Sequence, residues 1–590
     1  MPPAARFSRR VRFTPFPQVA YLGGNDNDVS GSSSLGAGEI GISTPGVISS
    51  SPLQDFQQSP VSQCSPTFTL SESGSNGSPG STNTSTPGSG TGSVSGTVTV
   101  TATATETETR PTVTHLFINN QRVMSRSKHW TSILDPGTQR LLSRVPSSTH
   151  DEIQTAVHAA ETAQDAWGAR GFQSRREYLL DWIDVLREMT PDIVACLCRE
   201  VGKTLADANT EVFRGLDCIH AACSIGTEMA GMYLGSDPTI LQTFYEPVGV
   251  CVTIAPFSYP FMIPLWSIPY ALITGNTVIL KPSEKAPSLS SLLADAVIRA
   301  GFPPGIFNVL HGDRTTVRTL IPHPSVQAIS FVGSETAARE VHDLARTAGK
   351  RIQAECGGKN HGVVLDDASM MPTLYAIAGS AFGATGQRCM ALSVAIFVGG
   401  TREWIPKLVD LAQSMVVGMG GDEDTKLGPL INRAAKERVV GVIERAVDEG
   451  AMVLLDGRDV LVPRFPEGNF LGPTILMGVE TYMECYQMEI FGPVLICMQV
   501  DTLDEAIDLI NQNRYGNGCS IFTTSGKQAK TFQRRVNVGQ IGINIPLIAP
   551  YGPAVRTSNK DSFLGDRHAP GKTYWPFFTT VKTVSARWDQ

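Results

Sequence analysis

From residue 111 onward, the apolar and polar positions fall into two kinds of block. Short continuous apolar runs, Gly249–Ala255, Thr277–Leu280, Ala328–Val332 and Gly362–Leu365, read as buried strands. Stretches between and beyond them, such as Ser288–Ala300 and Glu335–Thr347, read as helices. Strands that alternate with helices predict a parallel sheet covered on both faces, hence an α/β fold. Residues 247–280 carry no charged side chain, but Pro247, Pro256, Pro260, Pro264 and Pro269 interrupt them. A lipid-exposed helix would have to re-satisfy the carbonyls freed at each proline. The expectation there is a buried strand, a tight loop and a second buried strand, with no membrane span. No internal repeat is visible.

The chain ahead of residue 111 is different in kind. Between 71 and 100, Ser, Thr, Gly and Pro dominate, with few side chains large enough to offset the entropy of ordering. Residues 1–110 therefore read as a disordered, low-complexity leader. The alternation Thr97–Thr105 has a strand's period but no apolar partner beside it. The first 25 residues hold no acidic residue and carry Arg6, Arg9, Arg10 and Arg12. That is the signature of a mitochondrial transit peptide, weakened as a helix by Pro2, Pro3, Pro15 and Pro17. The expected location is the mitochondrial matrix, or otherwise the cytoplasm.

Length and charge narrow the class. At 590 residues the chain has room for about three or four domains. With 41% hydrophobic residues, most of it can bury a core. A net charge of -7 argues against a nucleic-acid partner held by a basic surface. Eleven cysteines with no CxxC pair exclude a disulfide scaffold, a zinc ribbon and a thioredoxin motif, and no metal site is expected.

Five short motifs carry candidate chemistry. In Gly386-Gln-Arg-Cys-Met-Ala391, Cys389 follows an arginine and a small-residue stretch. A thiolate nucleophile needs local positive potential and open backbone. Most intracellular cysteines are nevertheless buried and inert. Lys281-Pro-Ser-Glu284 follows a predicted strand, at the edge where α/β sheets bind ligands. There Lys281 and Glu284 could grip ribose hydroxyls, or Ser283 could simply cap a helix. Ser330-Phe-Val-Gly-Ser334 runs from strand to helix, so Ser334 opens a helix whose N–H groups suit a phosphate. The ordinary alternative is a capped helix. Glu355-Cys-Gly-Gly-Lys359 offers a carboxylate in a turn, suited to general-base work. Glu489-Ile-Phe-Gly-Pro-Val494 sets an acid beside an aromatic and a Gly-Pro turn. Either of these last two can be a plain loop.

In this order the five motifs closely resemble the aldehyde dehydrogenase superfamily, over roughly 111–590. Further stretches resemble its coenzyme-A-acylating branch, that of the methylmalonate-semialdehyde dehydrogenases. They are Val212-Phe-Arg-Gly-Leu216, Ile254-Ala-Pro-Phe257, Phe261-Met-Ile-Pro-Leu-Trp266, Lys359-Asn-His-Gly-Val-Val364 and Ser562-Phe-Leu-Gly-Asp566. The resemblance implies a Rossmann-like NAD domain over 111–236 and 248–357 and a catalytic α/β domain over 358–565. It also implies a β oligomerisation arm from 237–247 and 566–590, pairing across subunits of a homodimer or homotetramer. It implies NAD as cofactor, coenzyme A as cosubstrate and a small aldehyde as substrate.

By the same resemblance, Cys389 attacks the aldehyde and the resulting thioester passes to coenzyme A or to water. Lys281 and Glu284 match the adenine-ribose contacts, and Ser334 the pyrophosphate contact. Glu489 matches the residue on the nicotinamide ribose, and Phe257 and Phe491 lie beside the cofactor. Arg214 and Arg388 match two arginines near an acidic substrate, where a planar guanidinium suits a carboxylate. Three positions depart from the pattern. Ser258 stands where the family carries an oxyanion-donating Asn, a loss that typically costs about 10²–10³ in rate. Glu355 is the general base of water-using relatives, a carboxylate that the acylating branch usually lacks. Ala338 replaces a helix glycine near the cofactor, with a small expected effect. A hydrolytic dehydrogenase acting on another aldehyde is therefore a competing reading, and a catalytically dead scaffold a third. Retention of Cys389, Glu355, Glu489 and both arginines weighs against the scaffold.

Overall fold

The computed structural model describes residues 112–236, 239–546, 557–569 and 571–588. The leader, transit-peptide and Thr97–Thr105 readings lie outside the described residues. Two sheets with parallel cores organise the chain. The first has eight strands, in the order Phe563–Leu564, Arg351–Glu355, Val326–Val332, Val250–Ile254, Thr277–Lys281, Phe307–Val309, Leu116–Ile118 and Gln121–Val123. Its five central strands are parallel, and antiparallel pieces close both edges. The second has seven strands: Met452–Leu455, Thr474–Met477, Val494–Val500, Leu392–Val398, Asn360–Val364, Gly518–Phe522 and Gln540–Ile543. All its pairings are parallel except at the Met452–Leu455 edge. A third sheet is an antiparallel ribbon of Tyr233–Ser236, Thr239–Pro247 and Thr579–Arg587.

The central strands form because they are apolar on both faces. Val250–Ile254 and Thr277–Lys281 are buried at every position. The helix Glu335–Thr347 turns Ala338, Val341 and Ala345 inward at helical spacing. Between the strands of 247–280 the structure corrects the expected tight loop. A ten-residue helix, Pro264–Ile273, lies there and is buried at every position. It shows no amphipathic period because it has no solvent face, and Pro264 sits at a helix start, where a missing N–H costs nothing. Ser283 does not cap a helix, since the next one starts at Ser288. Its Oγ instead accepts from Lys285 N at 3.2 Å. Among the described residues, no helix is long and apolar enough to cross a membrane.

The chain after residue 560 serves two sheets. Phe563–Leu564 pairs with Ala354 and Glu355 and so joins the eight-stranded sheet. Tyr574, Trp575, Phe577 and Phe578 pack into the core around Trp182 and Trp266. Only the strand Thr579–Arg587 runs along the ribbon.

Candidate active site

The eight-stranded sheet changes direction between Val250–Ile254 and Val326–Val332. From the first strand the chain proceeds through Thr277–Lys281 to Phe307–Val309 on one side, and from the second to Arg351–Glu355 on the other. A crevice beyond the carboxyl ends of such strands is where open α/β sheets bind ligands. Phe257 and Ser258 follow one of these strands, Gly333 and Ser334 the other. Ser334 is the N-cap of Glu335–Thr347, yet its hydroxyl makes no capping bond and is not spent on the helix. Lys281, at the end of the neighbouring strand, is buried, donates to Gly312 O at 2.9 Å and lies 3.6 Å from Glu284. Burial lowers its pKa, and Glu284 opposes that shift. A helix N-terminus, a half-exposed carboxylate and a crevice at the switch point suit a dinucleotide. Ala338 points away into the core below the sheet.

The glycine pair after Glu355 makes room for Glu489 at Gly357 and for Asn517 at Gly358. A Cβ on Gly357 would stand 2.3 Å from Glu489 Oε2, and Gly358 N donates to Oε1 at 3.1 Å. Two motifs far apart in sequence thus meet carboxylate to backbone. Lys359 anchors the approach to Glu489 through the carbonyls of Cys485 and Met488. Burial lowers its pKa to about 8, although Cys485 and Glu489 pull the other way. Two residues on, Phe491 adopts a left-handed φ of 53° and meets Phe257 edge to face, ring centres 5.9 Å apart.

Cys389 lies on a strained loop. Ala384, Thr385 and Gly386 all have left-handed φ, at 49°, 55° and 67°. A Cβ on Gly386 would sit 2.0 Å from Gly492 O, so the loop that carries Cys389 presses on the Glu489–Pro493 turn. Side chains hold the loop from several directions. Ala384 N donates to Asp207, Thr385 Oγ1 to Gly428 O, and Ile431 N to Gln387. The carbonyl of Cys389 accepts from Asn360 Nδ2 at 2.9 Å and from Asn517 Nδ2 at 2.7 Å. The residue itself stays half-buried, while the other nine free cysteines among the described residues are buried. Burial pushes Cys198 and Cys485 up to about 11, and Cys223 and Cys497 up to about 12, keeping them as thiols.

Helix Leu205–Cys223 backs this loop. Asp207, Glu211 and Arg214 lie on it at four- and three-residue steps, and so share one face. Arg388 reaches within 4.0 Å of Asp207, and its Nε and Nη2 donate to the carbonyls of Gly383 and Gly379. Part of the fork expected for a substrate carboxylate is therefore already engaged. Burial alone would raise the Asp207 pKa, but Arg388 and Lys203 hold it below the ordinary carboxylate range. Glu211 pairs with buried Lys203 and accepts from the N–H groups of Phe261 and Met262 at 2.9 and 3.1 Å. It thereby fixes the segment that carries Ser258. Tyr259, next to Ser258, places its ring 3.8 Å from Lys203 Nζ. Burial raises the phenol to about 12, against the pull of Arg388. A cavity of about 10 Å³, roughly the space of one water, separates Ser258 from Ala384 and Gln387.

Glu355 ends its strand fully buried. Ser558 Oγ lies 3.1 Å from its Oε2 and 3.0 Å from Asn517 Oδ1. A continuous polar line therefore joins Glu355 to the carbonyl of Cys389. His568 Nδ1 stands 3.5 Å from Oε1. Sequence reading missed Lys203, Asp207, Glu211, Tyr259, Asn360, Asn517, Ser558 and His568. The helical spacing of Asp207, Glu211 and Arg214 was the one visible signal among them. No cluster of three metal-ligating side chains occurs among the described residues.

This crevice beside a half-buried cysteine is the architecture of an NAD-linked aldehyde oxidiser. The aldehyde dehydrogenase family model matches residues 123–584, and the chain belongs to that family. Among its relatives is the acylating, mitochondrial methylmalonate-semialdehyde dehydrogenase of Arabidopsis thaliana. The two are 45% identical over 480 residues, 81% of this chain and 79% of the relative. The human methylmalonate-semialdehyde/malonate-semialdehyde dehydrogenase, also named acylating and mitochondrial, is 42% identical over 81% of this chain and 90% of its own. The crystal structure of methylmalonate-semialdehyde dehydrogenase from Oceanimonas doudoroffii superposes with a TM-score of 0.79 at 35% identity, covering 81% of this chain and 99% of that one. An NAD complex from Sinorhizobium meliloti, assigned to the same enzyme, gives 0.80 at 33% identity, over 82% and 99%.

Proposed function

We propose that the protein oxidises methylmalonate and malonate semialdehydes with NAD and transfers the acyl group to coenzyme A, giving propionyl-CoA and acetyl-CoA. The observation that carries the reading is Cys389. It is the one half-buried cysteine among the described residues, on a strained loop beside Arg388 with its carbonyl held by two amides. Strain of this kind persists where surrounding contacts over-determine it, as at catalytic loops.

Cys389 loses its proton, and the thiolate adds to the aldehyde carbon. The carbonyl electrons move to oxygen, where the Ser258 hydroxyl would donate. NAD, when bound, accepts the hydride that leaves this carbon, and the C=O bond reforms as a thioester on Cys389. Lys281, Glu284 and Ser334 would hold its adenosine and pyrophosphate; Glu489, Phe257 and Phe491 would flank its nicotinamide end. Arg214 and Arg388 attract the substrate carboxylate. Its C–C bond then breaks, carbon dioxide departs, and the α-carbon takes a proton. The coenzyme A thiolate attacks the thioester, a new C–S bond forms, and Cys389 leaves as thiolate. The coenzyme A thiolate needs no base at this step; where water competes, Glu355 receives the proton that the attacking water gives up.

The ribbon of Thr239–Pro247 and Thr579–Arg587 exposes Phe244, Val581 and Val584, and supports pairing with further copies in a homodimer or homotetramer. The acid-free, arginine-bearing first 25 residues and the mitochondrial relatives support a matrix location. Products from methylmalonate and malonate semialdehydes, identified with and without coenzyme A, test the assignment. Propionyl-CoA and acetyl-CoA are expected; free acid alone, whatever the CoA concentration, would refute it.

A further inference from the structure

We propose that His568 is the proton relay of Glu355, carrying protons between that buried carboxyl group and solvent. The inference rests on the reading of Glu355 as the proton acceptor of the deacylation step. Glu355 has no exposed surface, so a proton that it takes during turnover must be handed on before the next cycle. Its Oε1 faces His568 Nδ1 at 3.5 Å, and the histidine side chain is 23% exposed, which opens the pair to water. The ring is fixed against Phe563, centre to centre 3.8 Å, on the short strand that pairs with Glu355 itself.

The surrounding hydrogen bonds accommodate both protonation states. His568 Nδ1 lies 3.4 Å from the Ser558 N–H, so it has a donor to meet when it is bare. When it carries a proton it can donate to Oε1 instead. The Ser558 hydroxyl has one proton and two acceptors, Glu355 Oε2 and Asn517 Oδ1. With Glu355 ionised, Ser558 donates to it. With Glu355 protonated, the carboxyl donates to Ser558 and Ser558 donates to Asn517. Asn517 cannot flip cheaply, because its Nδ2 is held by Cys389 O and Asn360 Oδ1. Nearby titratable or charged groups are Cys356 just past the end of the strand, Tyr574 in the turn before Trp575, and Asp566 and Arg567 beside His568.

In hydrolysis the balance is simple. Water gives a proton to the Glu355 carboxylate as its oxygen bonds to the thioester carbon. The C–S bond breaks and Cys389 leaves as thiolate. The proton passes from Glu355 to Nδ1, and a proton leaves Nε2 to solvent. Transfer to the coenzyme A thiolate releases no proton to Glu355, so the relay serves the hydrolytic branch.

The test is single-turnover deacylation of the preformed acyl-enzyme, followed as free acid in the absence of coenzyme A. Full-length wild type, Glu355→Gln, His568→Ala, His568→Gln and the double variant are compared, with and without added imidazole. Glu355→Gln should slow the step by about 10². Each His568 variant should slow it about tenfold, and the double variant should be no slower than Glu355→Gln alone, because the two act as a unit. Imidazole should restore His568→Ala and leave Glu355→Gln unchanged. If Glu355→Gln has no effect, both the general-base reading and the relay fall. If Glu355→Gln is slow while the His568 variants run at the wild-type rate, the relay alone falls. A His568→Ala rate that is low but indifferent to imidazole marks a structural role and also overturns the relay.

Discussion

Two cysteine-bearing segments of this chain, Arg351–Lys359 and Gly383–Ala391, end up on opposite sides of the chemistry. Cys356 follows the catalytic-base candidate Glu355 and is 1% exposed. Its N–H is tied to Ser562 O at 2.9 Å, where the chain leaves a regular strand. Cys389 lies in three left-handed residues' wake, half-buried, with its carbonyl fixed by two amides. On the proposed function, a carboxylate one residue away does not make a nucleophile, whereas backbone that departs from a strand and leaves the side chain partly open does.

The sharpest way to break that comparison is to exchange the fates of the two sulfurs. Cys389→Ala is expected to reduce aldehyde-dependent NADH formation to background while NAD still binds. Cys356→Ala should stay within about twofold of wild type, with a stability loss of about 1 kcal/mol for the buried site. Activity assays beside calorimetric NAD titration read both. A silent Cys356→Ala together with an active Cys389→Ala would leave the loop's strain without a function.

Removing positive charge next to the loop comes second. A charge-assisted hydrogen bond contributes about 1.5–3 kcal/mol. Arg214→Leu and Arg388→Leu should each lower kcat/KM for malonate semialdehyde about ten- to hundredfold more than for propanal. Equal losses on both aldehydes would reassign the arginines to holding the loop, a role the Gly383 and Gly379 carbonyls already suggest for Arg388.

The loop's geometry predicts the next effect. Gly386→Ala puts a methyl group 2.0 Å from Gly492 O at φ 67°, and neither the backbone nor the oxygen can yield without shifting the nucleophile. A stability loss of about 1–3 kcal/mol is expected, with a larger fall in kcat than in NAD affinity. Thermal melts and steady-state kinetics would show an unperturbed protein if the loop were not strained.

Smallest is the cofactor preference. Glu284 lies 3.6 Å from Lys281 and is 38% exposed; on the proposed placement of the ribose it would set a negative charge where a 2′-phosphate falls. Such repulsion costs on the order of 1 kcal/mol, so NAD should exceed NADP in kcat/KM and Glu284→Gln should narrow the gap about fivefold. Comparable constants for both cofactors in the wild type would contradict the placement of the ribose.

What could be read without coordinates follows the range of the forces involved. Buried parallel strands announce themselves as apolar runs, and the helix Glu335–Thr347 stands at its expected bounds. The helix Pro264–Ile273 was illegible because it is apolar all round, leaving no period to read. The motifs around Cys389, Glu355 and Glu489 were visible, but the reason for the glycines at 357 and 358 was not, since the side chains that they admit, Glu489 and Asn517, come from far along the chain. Asn360, Asn517, Ser558 and His568 are silent in sequence for the same cause. Each acts across a long loop, and nothing local distinguishes them from ordinary polar residues.

The proposed function requires that Cys389 carry an acyl group to coenzyme A. Full-length enzyme given NAD and methylmalonate semialdehyde without coenzyme A should be trapped by acid and digested, and its peptides weighed. The account predicts a propionyl group on the peptide that holds Cys389 and none on the one that holds Cys356. On addition of coenzyme A that adduct should vanish as propionyl-CoA appears. An adduct that decays at the same rate with and without coenzyme A, leaving only free acid, would contradict it.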